Sequence, residues 1–211
     1  MLEIVLVRHA ETAWNKEEVF RGRADIALNE TGQRQADLLA EYLADGPVDI
    51  VYSSPLRRAV QTAEAIAARH SLEVTIAENL IDFDFGEWQG MTLREVEKKD
   101  DELYRDWRDL PEQVRVPGGE TLEEVRNRAW NFIDDAVMRC GDGRIVFVSH
   151  RVINKVVICT LLGLDSSHFW NIQVDTCGIT RFACGDGRLV LTVHNDTSFL
   201  RSLRCDPLGD F

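Results

Sequence analysis

The sequence predicts an α/β fold built on a mainly parallel sheet. Two observations carry this. Short apolar runs at residues 2–7, 48–52, 72–76 and 144–149 have the length and composition of buried strands. Stretches with apolar residues at helical spacing separate them, and strands alternating with helices favour parallel pairing. At 211 residues and 45% hydrophobic content, the chain is expected to form one domain over 1–211, large enough for a full core.

The elements follow in order. After the first strand comes a polar loop, residues 10–28. Asn29 is placed as the N-cap of a helix whose apolar face is Ala36, Leu39, Ala40 and Leu43, and Gly46-Pro47 stops it. The second strand runs into Ser53-Ser54-Pro55, which reads as a helix start with Ser54 as cap and Pro55 in the first turn. Ala59, Ala63, Ile66 and Ala67 form the buried face of that helix. Residues 78–120 are irregular, polar and rich in aromatics, with one short helix expected around 93–107. An insertion of that length in a compact domain reads as a lid. Its aromatics (Phe83, Phe85, Trp88, Tyr104, Trp107) either shape a pocket or pin the insertion to the core. Thr121 and Glu124 have the spacing of a capping box and open a further helix. A strand over 144–149 ends in Ser149-His150-Arg151, a helix over 153–162 is stopped by Gly163, and 178–183 with 189–194 read as a hairpin around Gly185-Asp186-Gly187.

Composition excludes several classes. A net charge of −12 argues against nucleic acid as a partner, although pocket arginines can still focus a local field on a small anion. No apolar run approaches the ~18 residues that span a bilayer, so no membrane association is expected. The first residues do not have the pattern of a secretory signal, which places the chain in the cytoplasm. Five scattered cysteines without a C-x-x-C pair read as structural thiols, with neither a zinc site nor a redox motif.

Three strands end in reactive groups: Arg8-His9, then Ser53-Ser54 leading to Arg57 and Arg58, then His150. In a parallel sheet these ends share one edge, where α/β folds bind ligands. Two histidines and at least two arginines converging there suit a tetrahedral oxyanion, since the guanidinium fork matches phosphate oxygens.

At this point a resemblance carries the reading further. The segment from Arg8 to Asn15 is similar to the R-H-G-x-T-x-x-N signature of the histidine phosphatase superfamily, the phosphoglycerate mutase-like proteins. The segment from Ser53 to Ala63 resembles its S-S-x-L-x-R-A-x-Q-T-A block, Asp82 to Gly90 its E-x-x-F-G-x-W-E-G block, Val148-Ser149-His150 its second-histidine motif, and Asn195-Asp196-Thr197 its closing segment. The resemblance runs in order from about residue 3 to 200. It implies a three-layer α/β/α sandwich of phosphoglycerate mutase-like type.

The roles it implies are specific. His9 would take up the phosphoryl group as a phosphohistidine. Arg8, Arg58 and His150 would clamp the phosphate oxygens, and Asn15 would donate a further hydrogen bond. Neither metal nor cofactor is implied, because the arginines supply the positive charge. Asp82 stands where such relatives carry glutamate as general acid, and Asp84 and Glu87 are the alternatives to it. Ala10 replaces the usual glycine. Arg21, before Gly22, stands where glutamine is common and adds a phosphate contact. Arg151 follows the second histidine in place of glycine and either reaches a second anionic group of the substrate or points to solvent. Phe199, where relatives often have histidine, is expected to pack.

The activity implied is phosphatase action on a small phosphorylated metabolite. The alternatives are a cofactor-dependent phosphoglycerate mutase and an inactive phosphate-binding adaptor. Either a monomer or a homodimer is compatible with the sequence.

Overall fold

A computed structural model describes residues 1–15, 19–185 and 187–203. Cys205 and Asp186, the centre of the expected hairpin turn, lie outside the described residues. One sheet contains β1 (Leu2–Arg8), β2 (Ile50–Ser53), β3 (Val74–Ile76), β4 (Gly143–Ser149), β5 (Ile179–Gly185) and β6 (Arg188–Asp196), in the order β3-β2-β4-β1-β5-β6. The first four strands pair in parallel, and β5 and β6 add an antiparallel edge.

Both faces of the sheet are buried at its central strands β1 and β4, whose alternating side chains feed two apolar clusters. Leu2, Ile4 and Leu6 of β1 and Ile145 and Phe147 of β4 enter one apolar cluster. Val5 and Val7, with Val146 and Val148, enter the other. On the second face lie α1 (Glu30–Leu43) and α2 (Arg57–Arg69), packed through Ala36, Leu39, Ala59, Ala63 and Ile66. On the first lie α5 (Leu122–Cys140) and α6 (Arg151–Leu161), through Val125, Ala129, Ile133, Ile153 and Val157. The result is the expected three-layer sandwich.

Caps follow the sequence where chemistry is local. Asn29 accepts from the Gly32 amide at 2.7 Å, and Thr121 and Glu124 form the capping box of α5. Three boundaries differ from expectation. The α2 helix begins at Arg57 with Leu56 at the N-cap position, so Pro55 lies before the first helical residue, and Ser54 Oγ accepts from the Leu56 amide at 3.3 Å rather than from the first turn of the helix. The α6 helix begins at Arg151, directly after the strand. The insertion holds two helices rather than one, α3 (Leu93–Lys99) and α4 (Asp101–Asp109), with the break at Asp100. That break has a tertiary cause: Trp88 Nε1 donates to Asp100 Oδ2 at 2.9 Å.

The aromatics of the insertion pin it to the core. Phe83, Trp88 and Trp107 are buried, and Trp107 lies 5.5 Å from Phe83 and 5.6 Å from Phe169 between ring centroids. Gly86 shows why the loop needs a glycine. Its φ is +48°, and a Cβ there would sit 2.2 Å from the Pro117 carbonyl oxygen. Phe199 packs as expected, stacked on Tyr42 at 5.0 Å.

Candidate active site

The parallel register sets the site. Arg8 pairs with Ser149 across β1 and β4, and Ser53 pairs with Val148 across β2 and β4. The chain beyond each strand stays in register for one more bond, His9 N–H to Ser149 O at 2.9 Å and Ser54 N–H to Val148 O at 3.0 Å. Three strand ends therefore deliver His9, Ser54 and His150 side by side. The His9 and His150 rings lie 5.2 Å apart between centroids.

Hydrogen bonds assign the tautomers. His9 Nδ1 is 2.7 Å from the Ala10 carbonyl oxygen, which only accepts, so Nδ1 carries the proton and Nε2 keeps its lone pair. Burial first, then the charges of Arg58 and Arg8 together with His150, hold the His9 pKa well below its ordinary value. His9 is thus a neutral imidazole with a free nucleophilic nitrogen. The loop behind it is fixed from α2, where Thr62 Oγ1 accepts from the Ala10 amide at 3.0 Å.

His150 is also held neutral, again by burial first and then by Arg58, Arg128, Arg21 and Arg8. Arg58 Nε donates to its Nδ1 at 3.2 Å. The proton therefore sits on Nε2, 2.7 Å from Ser54 Oγ. The Oγ of Ser54, which also accepts from the Leu56 amide at 3.3 Å, thus orients this imidazole.

Arg58 is the hub. It is fully buried, and it donates to the Gly22 and Ala24 carbonyls at 2.9 and 2.7 Å and to Asp82 Oδ2 at 2.9 Å. The left-handed φ of Gly22, +49°, turns its carbonyl toward this guanidinium, and a Cβ there would lie 2.6 Å from Gln89 Oε1. Asp82 Oδ1 accepts from the Phe83 amide at 2.8 Å, and Oδ2 also lies 3.5 Å from His150 Nδ1.

Beside this hub is a partly enclosed notch with His9, Arg21, Gly22, Asp82 and Arg151 in its wall and Phe20 and Phe85 as apolar flanks. Phe85 therefore shapes the pocket as well as pinning the insertion. Burial lowers the Arg21 pKa, with further lowering from Arg8, Arg151 and Arg58, so four guanidiniums crowd one place. Arg21 Nη1 donates to the Trp14 carbonyl at 3.0 Å. Arg8, buried, donates to Val174 O at 2.6 Å, and Asn195 fixes the neighbouring Asp175 through its amide N–H and its carboxylate. Among the described residues, no group of three or more His, Cys, Asp or Glu side chains is placed to hold a metal ion.

Other candidates stand differently. Asn15 is buried beside the loop, but its Oδ1 accepts from the Thr12 amide and hydroxyl, which gives that oxygen a loop-bracing role. Asp84 accepts from the Gly86 amide and pairs with Arg23, and Glu87 pairs with Lys99 at the surface. Arg57 faces outward onto Asp25. Ser54 and Thr62 lie inside the motif that named Arg58, yet their polar contacts become visible only in three dimensions.

Comparison with known proteins gives the chain a family. The model of the histidine phosphatase superfamily (branch 1) matches residues 4–197. The chain belongs to this superfamily. Phosphoserine phosphatase 1 of Hydrogenobacter thermophilus is 38% identical over 200 residues, 95% of each chain. A crystal structure of a phosphoserine phosphatase mutant from Entamoeba histolytica, in complex with phosphoserine, superposes with a TM-score of 0.85 at 31% identity, covering 95% of this chain and 100% of that one. The alpha-ribazole phosphatase of Shigella flexneri gives 0.84 at 27% identity, over 92% and 96%. As a histidine phosphatase, the chain shares its overall fold with these solved structures.

Proposed function

We propose that this protein hydrolyses a small phosphomonoester in two displacements, with His9 carrying the phosphoryl group between them. One observation carries the reading: a neutral His9 presents an unprotonated Nε2 beside a cluster of arginines. In the first step Nε2 attacks phosphorus, an N–P bond forms, and the P–O bond to the alcohol breaks. Arg58, Arg8 and Arg21 stabilise charge on the phosphoryl oxygens, which is the chief contribution of a protein to phosphoryl transfer.

Asp82 supplies the proton that the leaving alkoxide takes. In the resting site its carboxylate is ion-paired with Arg58. An arriving phosphate competes for the same guanidinium, and two anions sharing one arginine favour a proton between them. In the second step the Asp82 carboxylate takes a proton from water, whose oxygen attacks phosphorus. The N–P bond breaks and neutral His9 is restored, so the balance is ester plus water to alcohol plus phosphate. His150, locked by Ser54, accepts from Arg58 through Nδ1 and so holds that guanidinium toward the oxygens. Arg151 and Arg21 add positive charge to the notch wall and favour a substrate with a second anionic group.

Phosphoserine is the substrate this reading puts first, because it combines a phosphomonoester with a carboxylate and because relatives are named for it. The test is phosphate release from a metabolite panel containing phosphoserine and p-nitrophenyl phosphate, run in EDTA. Turnover without metal is expected. A strict metal requirement would remove the mechanism, and conversion of 3-phosphoglycerate to its 2-isomer would make the protein a mutase. Binding of phosphate without turnover would make it an adaptor.

A further inference from the structure

We infer that Arg128 and Glu120 form a positioning pair that sets where the Asp82 carboxyl sits; this rests on the reading of Asp82 as the proton donor. The two residues lie outside the motif blocks that named the site, and neither touches the phosphate pocket. Arg128, on the second turn of α5, makes a two-pronged ion pair with Glu120, Nε to Oε1 at 2.9 Å and Nη2 to Oε2 at 3.0 Å. The same guanidinium donates to the Asn79 carbonyl at 2.7 Å and to the Asp82 carbonyl at 3.2 Å. Glu120 in turn accepts from the Asp84 amide at 3.1 Å and donates its own amide to the Asp84 carbonyl at 3.0 Å. Arg23 completes the set, with Nη2 at 3.0 Å from Glu120 Oε1 and Nε at 3.4 Å from the Asp82 carbonyl.

The segment 81–84, which follows a single 3-10 turn at Glu78–Leu80, is irregular backbone outside any strand or helix. Its position is therefore set by what binds its carbonyls and amides. Arg128 and Glu120 hold it at Asp82 and Asp84, and hold the turn before it at Asn79. A guanidinium suits this because its five donors lie in a fixed fork, so one side chain ties a carboxylate and two carbonyls at once. The need is greater here than with glutamate as acid. An aspartate has one rotatable bond fewer with which to correct a displaced backbone, so an error in the backbone passes directly to Oδ2. A proton donor misplaced by about 1 Å loses much of its effect.

The test is the dependence of rate on the leaving group, with p-nitrophenyl phosphate and phenyl phosphate as probes. A poorly acidic leaving group needs the proton, whereas p-nitrophenolate hardly does. In Arg128→Gln and in Glu120→Gln, kcat/KM on phenyl phosphate, which reports only the steps through departure of the leaving group, is expected to fall roughly tenfold more than kcat/KM on p-nitrophenyl phosphate. Trapped phosphohistidine formed from p-nitrophenyl phosphate should persist. Arg128→Lys keeps the charge but offers a single head; it is the second variant should Arg128→Gln fail to fold, and it should show the same skew.

Equal losses on both probes, or no loss on either, would overturn the positioning role. Asp82→Asn is measured alongside. If that variant shows no skew, Asp82 is not the proton donor. If it shows the skew and the Arg128 and Glu120 variants do not, the donor stands and the positioning pair falls.

Discussion

His9 and His150 come from strand ends 141 positions apart in the chain, yet their rings tilt toward each other at 58° with centroids 5.2 Å apart. Each ring has one nitrogen tied to the protein, His9 Nδ1 to the Ala10 carbonyl and His150 Nε2 to Ser54 Oγ. Of the opposite nitrogens, His9 Nε2 is left for chemistry, and His150 Nδ1 accepts from Arg58 Nε. Neither role survives if the rings rotate, so the two tethers matter as much as the imidazoles.

Replacing the nucleophile is the most direct check. His9→Ala should lower kcat by about 10⁴-fold or more, as removal of a catalytic nucleophile does. Acid-labile, base-stable phosphate on the protein, measured after quenching with labelled substrate, should vanish. Label retained on the variant would place the nucleophile elsewhere.

The acid limb of the rate profile follows from burial. His9 must be neutral to attack, and its pKa lies well below 6.5. Values of kcat/KM should hold through pH 6.5 and fall only at lower pH. A limb centred at or above 6.5 would show an imidazole in contact with water, contrary to the buried site.

Stability should follow the same groups. His9 and His150 have folded pKa values depressed below the unfolded value of 6.5. Between those values the unfolded chain binds the extra protons, so stability is retained above about pH 6.5 and declines as pH falls below it. Calorimetry at pH 7.5 and 5.5 should give the lower Tm at 5.5, and a double variant with Gln at both positions should shrink that difference.

Ser54→Ala removes the tether on His150 and one long hydrogen bond to the Leu56 amide, while Pro55 and the helical bonds of α2 stay. A loss of roughly 10-fold in kcat, as removal of a tuning partner gives, is expected with little change in Tm. A large fall in Tm with kcat preserved would return Ser54 to its capping role.

Trp107 tests the anchoring of the insertion. It is buried against Phe83, Phe85, Phe169 and Trp170. Trp107→Ala should cost about 3–5 kcal/mol, seen as a lower urea midpoint. Phe83 adjoins Asp82, so loss of kcat should accompany it.

Much of this was legible locally. Asn29 and the Thr121–Glu124 pair announce helix starts because a cap is a contact between near neighbours in sequence. The apolar strands announce a parallel sheet, and their ends announce the site. Ser54 misled because Ser-Pro is also a common helix start. Its hydroxyl stops short of the first helical turn, accepting from the Leu56 amide, and meets His150, 96 positions later. Asp100 broke a helix that the pattern continued, because it met Trp88 across the fold. Nothing local separates Arg128 from Arg126, which makes a surface pair with Glu123 on the same helix.

The sequence by itself determined the layered α/β plan, the strand ends that carry His9 and His150, and the family. Periodicity and motif order are properties of neighbours along the chain. Only the tertiary structure decided which nitrogen of each histidine carries the proton, that both rings are neutral, and that Arg58 joins Asp82 to His150 across separations of 24 and 92 residues. Those properties arise from burial and from charges brought within a few ångströms, and both come into being only when the chain folds.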